Sequence, residues 1–292
     1  MWSAGFMTID SKSKHARAVG LLIATAVLWS FGGLLIKLIS WNPMAIAGGR
    51  SALAAAIMLF VVRRHQLNWS FDQVGGAVCY AVNVVLFVVA TKMTTAANAI
   101  FLQYTAPIYV AILGAYFLNE KVAGFEWLTI VAAIFGMALF FFDRLTFANY
   151  WGNGLAILAG VAFAGMIFFM RRQKKAFPLG SIFLGNILAA LVCVPFMFGS
   201  MPDKVGWLAL AALGLLQLGL SYILYSIAIK RVTALEGIMV PLIEPVLNPV
   251  WVFLFLGERP GRWAVPGGII VLTAAAVCMF LRFSKDVDGQ ED

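Results

Sequence analysis

The sequence has few charged residues and few of the side chains that metal sites and nucleophilic enzymes require. Charged residues make up 12% of the 292 residues, and there are only two histidines and three cysteines. His15 and His65 fall in predicted loops, whereas Cys79, Cys193 and Cys278 lie in separate apolar runs without CxxC spacing. This pattern argues against a metal site, a disulfide framework or an integral-membrane enzyme. We therefore expect no catalytic residue, no metal and no cofactor.

Apolar residues dominate instead. They account for 62% of the chain, and the mean hydropathy is +0.93, which is too high for an ordinary soluble domain. A run of about 20 apolar residues is long enough to cross a bilayer as a helix. Ten such runs predict an all-α membrane protein: Ala18–Leu38, Met44–Val62, Phe71–Thr91, Thr95–Leu118, Ala123–Phe142, Gly152–Met170, Gly180–Gly199, Val205–Ile229, Ala234–Leu256 and Trp263–Leu281.

The net charge of +8 is distributed unevenly between alternate loops. Fourteen of the 21 Lys and Arg residues fall in one set of loops together with both termini, six fall in the opposite set, and Arg50 lies within a span. Cytoplasmic loops carry the Lys/Arg excess, so we expect both termini in the cytoplasm and the protein in the inner (plasma) membrane. The basic residues report orientation rather than a nucleic-acid partner.

The two halves of the chain resemble each other at an offset of 138 residues. The segment Thr95–Ile100, followed by Pro107 and Glu120, corresponds to Thr233–Ile238, Pro245 and Glu258. Five spans per half place the second copy upside down relative to the first, as in many secondary transporters. The predicted organisation is a tail at 1–17, a first repeat at 18–142, an inverted second repeat at 152–281 and a tail at 282–292.

These segments resemble a known family. Thr94–Ala99, Pro107-Ile108 and Asn119-Glu120-Lys121, repeated as Val232–Ala234, Ile243–Val246 and Gly257-Glu258-Arg259, are similar to the duplicated signature of EamA-type carriers of the drug/metabolite transporter superfamily. The resemblance covers Ala18–Leu281 and implies a ten-helix, 5+5 secondary transporter. Such families include exporters of amino acids and other metabolites, and the aromatic amino-acid exporters are the members that this chain resembles most.

Polar and amphipathic side chains inside the predicted spans indicate a binding site at the middle of the membrane. Polar groups in hydrocarbon are costly and normally face the bundle interior or a wet path. Either a substrate pocket or hydrogen bonding between helices explains them. The predicted substrate-binding residues are Trp29, Tyr80, Asn83, Gln103, Tyr104, Gln217, Ser221 and Tyr222.

Two residues of the ninth span are candidates for proton coupling or gating. Glu244 and Asn248 lie one turn apart on one helix face. Glu244 either exchanges a proton during transport or bonds a backbone donor beside Pro245. Pro107 and Pro245 are predicted hinges, because proline removes a backbone donor and kinks a helix. The alternative is that these prolines only curve the helices for packing.

Two further charged residues have alternative readings. Glu236 is predicted to be a charge at the start of the ninth helix, near the interface. Arg50 either reaches the outer interface, pairs with backbone carbonyls or meets a substrate carboxylate.

The sequence thus predicts an exporter of amino acids or related metabolites, aromatic ones favoured, that works by alternating access. A broad drug or metabolite efflux carrier is the alternative. The expected partners are a small-molecule substrate and the lipid bilayer, and the expected assembly is a monomer, with a dimer as the alternative. Spans 1, 3, 4, 6, 8 and 9 should line the cavity, with spans 5 and 10 outside.

Overall fold

The computed structural model describes residues 2–63, 66–94, 96–145, 148–257 and 261–288. Within these residues, eight helices are long and apolar enough to cross a membrane, and two shorter apolar helices, Pro43–Met58 and Gly124–Phe140, complete a set of ten. The prediction of a ten-span, all-α membrane protein is confirmed. Glu258 and Arg259, which belong to the family signature, and His65 and Thr95 lie outside the described residues.

We number the spans in chain order. Spans 1 to 5 are Trp2–Ser30 with Gly32–Lys37, Pro43–Met58, Phe71–Met93, Ala96–Gln103 with Ala106–Phe117, and Gly124–Phe140. Spans 6 to 10 are Tyr150–Arg172, Pro178–Cys193, Lys204–Ala228, Ala234–Met239 with Ile243–Leu256, and Ala264–Asp288. Short 3₁₀ turns follow span 5 at Phe142–Arg144 and span 7 at Val194–Phe196. The tail expected at residues 1–17 is helical from Trp2 onward and continues into span 1.

Side-chain caps begin several spans. Ser70, Asn149 and Asp203 each accept a hydrogen bond from the backbone N–H three residues later, at the starts of spans 3, 6 and 8. Thr233 caps span 9 by accepting from the backbone N–H of Glu236, and the Glu236 carboxylate accepts from the backbone N–H of Thr233, which completes a capping box. The predicted helix-start role of Glu236 is therefore seen directly.

Four of the described spans depart from regular α-helix within their length. Span 1 breaks at Phe31, directly before Gly32, and span 4 breaks between Gln103 and Ala106, just before Pro107. Span 9 contains a 3₁₀ segment at Val240–Leu242, and span 8 contains a π-helical stretch at Leu213–Leu220. Non-helical backbone at this depth is tolerated where protein or a wet cavity surrounds it.

The packing of the spans follows a pseudo-twofold relation between the halves. Span 3 packs on span 6 as span 8 packs on span 1, and spans 2 and 7, 4 and 9, and 5 and 10 pair with their own counterparts. Two hydrogen bonds obey the same 138-residue offset. Asn98 donates to Asn153 at 2.9 Å, and at the equivalent positions His15 and Glu236 lie 3.0 Å apart. The two repeats are therefore built alike in their contacts as well as in sequence.

The outer surface is apolar along much of its height. Large exposed side chains include Phe71, Leu128, Phe135, Leu208 and Phe280, each more than 60% exposed. A soluble protein would bury most such groups, whereas lipid tails solvate them. Mid-span polar side chains such as Asn83 and Gln103 are buried inside the bundle instead.

Candidate functional site

A small cavity of about 40 Å³, open on one side, lies where the two repeats meet. Inverted-repeat transporters bind their substrates at such a junction. Spans 1, 2, 3 and 4 contribute to its wall from the first repeat, and spans 6, 8 and 9 contribute from the second. The lining residues are Trp29, Arg50, Asn83, Val84, Phe87, Gln103, Phe163, Gln217, Leu218, Tyr222 and Glu244.

An amide pair forms one polar part of the wall. Gln103 donates from Nε2 to Oδ1 of Asn83 at 2.7 Å, and both residues are buried. Gln103 is the last residue of the first helical segment of span 4, where the proline at 107 leaves the Gln103 carbonyl without its usual helical donor. Gly160 of span 6 packs on that carbonyl, since a Cβ placed there would lie 2.7 Å from the oxygen. The break in span 4 and its contact with Gly160 thus fix the position of the Gln103 side-chain amide.

Aromatic rings form the apolar part of the wall. The ring centroid of Trp29 lies 4.9 Å from that of Tyr222 and 5.9 Å from that of Phe163. The indole Nε1 of Trp29 donates to Oγ of Ser221 at 2.8 Å. Behind this layer, Tyr80 contacts Tyr222 edge to face and donates its hydroxyl to Oδ1 of Asn186 at 3.1 Å. A flat apolar group can pack on these rings.

Gln217 reaches the cavity from the π-helical stretch of span 8. Its side chain packs against Gly32 at the break in span 1, where a Cβ would lie 3.1 Å from Nε2. Its Oε1 is buried without a hydrogen-bond partner in the part of the chain that the structure describes. π-Helical turns are frequent at functional sites, and an unsatisfied buried acceptor is available to a ligand donor.

Glu244 is held at the cavity by Tyr104. The Tyr104 hydroxyl donates to the Glu244 carboxylate and also lies 3.4 Å from the carbonyl oxygen of Pro241. That carbonyl lacks its helical donor because residue 245 is a proline. The hydroxyl of Tyr225 similarly donates to the carbonyl of Gly237 at 2.9 Å, which Pro241 leaves free. Two tyrosines thus satisfy carbonyls that the prolines of span 9 expose.

Arg50 is the cation in the cavity wall. It is 2% exposed, and its Nη2 donates to the backbone carbonyl of Val84 in span 3 at 3.1 Å. Its Nε is buried without a partner among the described residues. The expectation that Arg50 reaches the outer interface is wrong, because the side chain is directed into the bundle and ends at the cavity. The bond to Val84 agrees with the second reading, pairing with a carbonyl.

The protein family to which the chain belongs is evident from its two repeats. The EamA-like transporter family matches the chain twice, over residues 16–142 and 150–280. These two matches cover most of the sequence, one in each repeat. The chain belongs to the EamA-like transporter family. The predicted family is confirmed, and the chain is a multi-pass membrane transporter.

Curated relatives of this EamA protein are also transporters. The threonine/homoserine exporter RhtA of Escherichia coli K12 is 26% identical over 282 residues, covering 91% of this chain and 92% of the exporter. The uncharacterized transporter YdfC of Bacillus subtilis is 24% identical and covers 95% of this chain and 93% of its own length. The transporter YxxF of the same organism is 23% identical over 66% of this chain, but the match spans only 64% of that relative.

A solved crystal structure shares the EamA protein's fold. It superposes with a TM-score of 0.78, covering 91% of this chain and 98% of the other, at 18% sequence identity. At that identity the likeness concerns the fold alone. A special likeness to the aromatic amino-acid exporters stays a prediction.

Some of the predicted site residues of the transporter line the cavity, and the others lie behind its wall. Six of them line the cavity: Trp29, Asn83, Gln103, Gln217, Tyr222 and Glu244. Tyr80, Tyr104 and Ser221 form hydrogen bonds behind the wall, and Asn248 packs against Gly33 of span 1. The helix breaks lie directly before Pro107 and just ahead of Pro245, at Val240–Leu242. Direct substrate contacts and hinge motion stay predictions.

Five lining residues were not among the predicted site residues: Arg50, Val84, Phe87, Phe163 and Leu218. Phe87 shares a helix face with Tyr80 and Asn83 in the sequence, whereas Val84, Phe163 and Leu218 carry no signal that separates them from lipid-facing residues of the same type. Arg50 does carry one, because a single cation inside an apolar run is costly unless the protein interior receives it. The sequence did not show how deeply the Arg50 side chain is buried or that it faces the cavity.

An ion pair with hydrogen bonds to backbone groups connects the spans at the end of the bundle where span 4 ends and span 9 begins. Arg171 of span 6 donates to Glu120 at 2.6 Å and to the carbonyl of Ile229 at 3.1 Å. Glu120 also accepts from the backbone N–H of Ala234 at 2.8 Å. We call this set of contacts the Glu120 cluster. It ties spans 4, 6, 8 and 9 together, so both repeats meet there through charged groups.

Proposed function

We propose that this transporter exports amino acids or related small metabolites, aromatic ones favoured, from the cytoplasm across the inner membrane by alternating access. The observation that carries the proposal is the cavity at the junction of the repeats. Its wall combines the aromatic group of Trp29, Phe163 and Tyr222 with an amide pair and one charge of each sign. Such a wall suits a small zwitterion with an apolar side chain. Relatives named threonine/homoserine exporters support the same substrate class.

The mechanism follows from the inverted halves. In inverted-repeat carriers one bundle rocks against the other around a fixed central site. Here the breaks in spans 1, 4 and 9 supply flexible points beside the cavity, with Pro107 and Pro245 as the hinges. Opening toward the cytoplasm requires the Glu120 cluster to separate, since the Lys/Arg distribution places that end inside the cell. Both termini then lie in the cytoplasm.

The test is flux into proteoliposomes that contain the purified protein. We expect saturable uptake of radiolabelled tryptophan, phenylalanine or threonine, relative to protein-free liposomes. The matched variants are Asn83→Ala, which removes the acceptor of the amide pair, and Asn68→Ala, which alters an exposed loop residue. Asn83→Ala should lower kcat/KM about tenfold or more, the loss expected for one hydrogen bond to a polar substrate. Transport of none of the three amino acids contradicts the proposal.

A second candidate is proton-coupled efflux of drugs or other metabolites. It is favoured by the Glu244 carboxylate in the cavity wall, because a carboxylate that gains and loses a proton can exchange it for a cationic solute. Flux measured at two pH gradients separates the candidates. Dependence of flux on the gradient that disappears in Glu244→Gln supports coupling, whereas equal dependence in both proteins removes it.

A further inference from the structure

We propose that Arg50 is the receptor for the carboxylate of the transported solute and that Glu244 faces its cationic group, so that the cavity recognises a zwitterion by its two ends. This inference rests on the proposed function, because it concerns the same cavity. It goes further by naming the residue that selects for a carboxylate and thereby excludes simple amines.

The guanidinium of Arg50 has unused donor capacity at the cavity. An arginine carries five N–H donors. The hydrogen bond of this side chain in the described residues runs from Nη2 to the carbonyl of Val84, and Nε has no partner. Apart from Glu244, the other polar or aromatic residues of the cavity wall carry no carboxylate: Trp29, Asn83, Phe87, Gln103, Phe163, Gln217 and Tyr222.

No carboxylate in the described residues forms an ion pair with Arg50. Glu244 lines the same cavity, yet its carboxylate is bonded to Tyr104 instead. A buried cation without a counter-anion is unfavourable. An incoming carboxylate supplies that anion, and the planar guanidinium fits it with two parallel hydrogen bonds. The charges of the cavity wall are thus complementary to those of an amino acid.

The equivalent position in the other repeat provides a built-in comparison. Asn186 of span 7 corresponds to Arg50 of span 2 when the two halves are aligned at an offset of 136 residues. Asn186 is fully buried, accepts from the hydroxyl of Tyr80 and donates to the carbonyl of Ile182 at 3.0 Å. Its polar groups are engaged within the protein, and it is absent from the cavity wall. Asn186 therefore has a structural role, whereas Arg50 lines the cavity.

The competing explanation is that Arg50 only ties span 2 to span 3 through the Val84 carbonyl. In that case its loss would weaken all ligands alike, because the cavity as a whole would distort. A carboxylate receptor instead affects only ligands that carry a carboxylate. Selectivity between paired ligands therefore separates the two roles, whereas stability alone does not.

The experiment measures binding by ligand-induced thermal shift and by displacement on purified, full-length protein. The probes are L-tryptophan, tryptamine, which lacks the carboxylate, and indole-3-propionate, which lacks the ammonium group. L-threonine tests whether the side chain matters. In the wild type we expect tryptophan to bind about 10- to 100-fold more tightly than tryptamine, the range for a hydrogen-bonded charge.

The variants then assign the selectivity to a residue. Arg50→Gln should weaken tryptophan and indole-3-propionate about 10- to 100-fold and leave tryptamine within about twofold. Glu244→Gln should weaken tryptophan and tryptamine but leave indole-3-propionate unchanged. Asn186→Ala is the matched control, and it should lower the melting temperature without changing the ratio of tryptophan to tryptamine affinity.

Several outcomes overturn the inference. One is an Arg50→Gln protein that loses tryptophan and tryptamine binding equally. If that variant does not fold, Arg50→Lys and the wild-type ligand series decide, and wild-type protein that binds tryptamine as tightly as tryptophan contradicts the carboxylate receptor. Indole-3-propionate binding without tryptophan or threonine binding would support Arg50 and contradict amino-acid transport. Failure of every carboxylate-bearing probe to bind contradicts both.

Discussion

At the scale of single residues, tyrosine hydroxyls in the described structure lie at backbone carbonyls that the prolines of span 9 leave without a donor. Each proline removes the donor that the carbonyl four residues earlier would receive. Tyr225 bonds the carbonyl left by Pro241, and Tyr104 lies at the one left by Pro245 while bonding Glu244. The prolines and the mid-span tyrosines are visible in the sequence, but their pairing depends on how spans 4, 8 and 9 approach each other. It was therefore not predictable.

The role of Tyr104 is tested by removing its hydroxyl. Tyr104→Phe should destabilise the protein by about 1–2 kcal/mol, because the Pro241 carbonyl and the Glu244 carboxylate lose a donor in an apolar setting. Tyr116→Phe is the control, since Tyr116 lies in the same span and is 79% exposed. It should stay within about 0.5 kcal/mol of wild type. Unfolding in detergent, followed by tryptophan fluorescence, measures both, and equal stability of the two variants contradicts the role.

At the scale of helices, the length of the apolar runs was enough to locate all ten spans, but not all of their internal breaks. The break before Pro107 was expected from the proline. The break at Phe31 and the π-helical stretch at Leu213–Leu220 have no proline within them and depend on tertiary contacts, such as Gly33 against Asn248. Leu213–Leu220 reads in the sequence as an ordinary apolar helix. This is why the position of Gln217 in the wall required the structure.

Close packing of spans 4 and 6 gives the first prediction for a helix contact. Gly160→Ala places a methyl group against the Gln103 carbonyl, at 2.7 Å before relaxation, so spans 4 and 6 must move apart. A Cβ at Gly154, in the same helix, would meet nothing within 4 Å, so Gly154→Ala is the matched control. Alanine favours helix over glycine by about 1 kcal/mol. We expect a lower melting temperature for Gly160→Ala only, and an unchanged or raised one for Gly154→Ala.

If both alanine variants melted at the wild-type temperature or above, the close approach of Gly160 to span 4 would be wrong. If both melted lower by the same amount, span 6 would be sensitive to any substitution and the contact would not be special. The comparison is informative because the two glycines lie in one helix, less than two turns apart.

The Glu120 cluster gives a second prediction at this scale. Glu120→Gln removes the partner of Arg171, whose side chain is 11% exposed, and should cost about 1–3 kcal/mol. The control is Asp72→Asn, which breaks the pair of Asp72 with Arg172 at 2.9 Å, where the arginine side chain is 43% exposed. That loss should be about 0–1 kcal/mol. The measurement is thermal unfolding at low and high salt.

A stability loss for Glu120→Gln no larger than that for Asp72→Asn would show that the Glu120 cluster does not hold the bundle closed. We also expect a cysteine introduced at Ala234, which is 1% exposed, to react faster with a water-soluble thiol reagent in the Glu120→Gln protein. Unchanged labelling together with unchanged stability removes the cluster from the proposed gate.

At the scale of the whole molecule, the two halves were predictable because a spacing of 138 residues survives in the sequence. The matched hydrogen bonds of Asn98 with Asn153 and of His15 with Glu236 extend that relation to contacts. Which polar residues share one cavity was only partly predictable. Asn83 and Gln103 line it, whereas Asn248, one turn beyond Glu244, packs against span 1 instead, and substrate contact by any of them stays a prediction. Which side chains face the cavity depends on helix rotation and on local breaks, and neither can be predicted from the sequence pattern alone.

The central claim is that the space between the two repeats is the transport path, and Phe87 tests it most directly. Phe87 lines the cavity, and the three native cysteines, Cys79, Cys193 and Cys278, are free thiols that are first changed to alanine. In that background Phe87→Cys should react with a membrane-impermeant thiol reagent during turnover, and saturating substrate should slow the reaction. Asn68→Cys, in an exposed loop, is the control, and it should react at the same rate with and without substrate. A cysteine at position 87 that never reacts from either side of the membrane, or reacts at the same rate with and without substrate, contradicts the account.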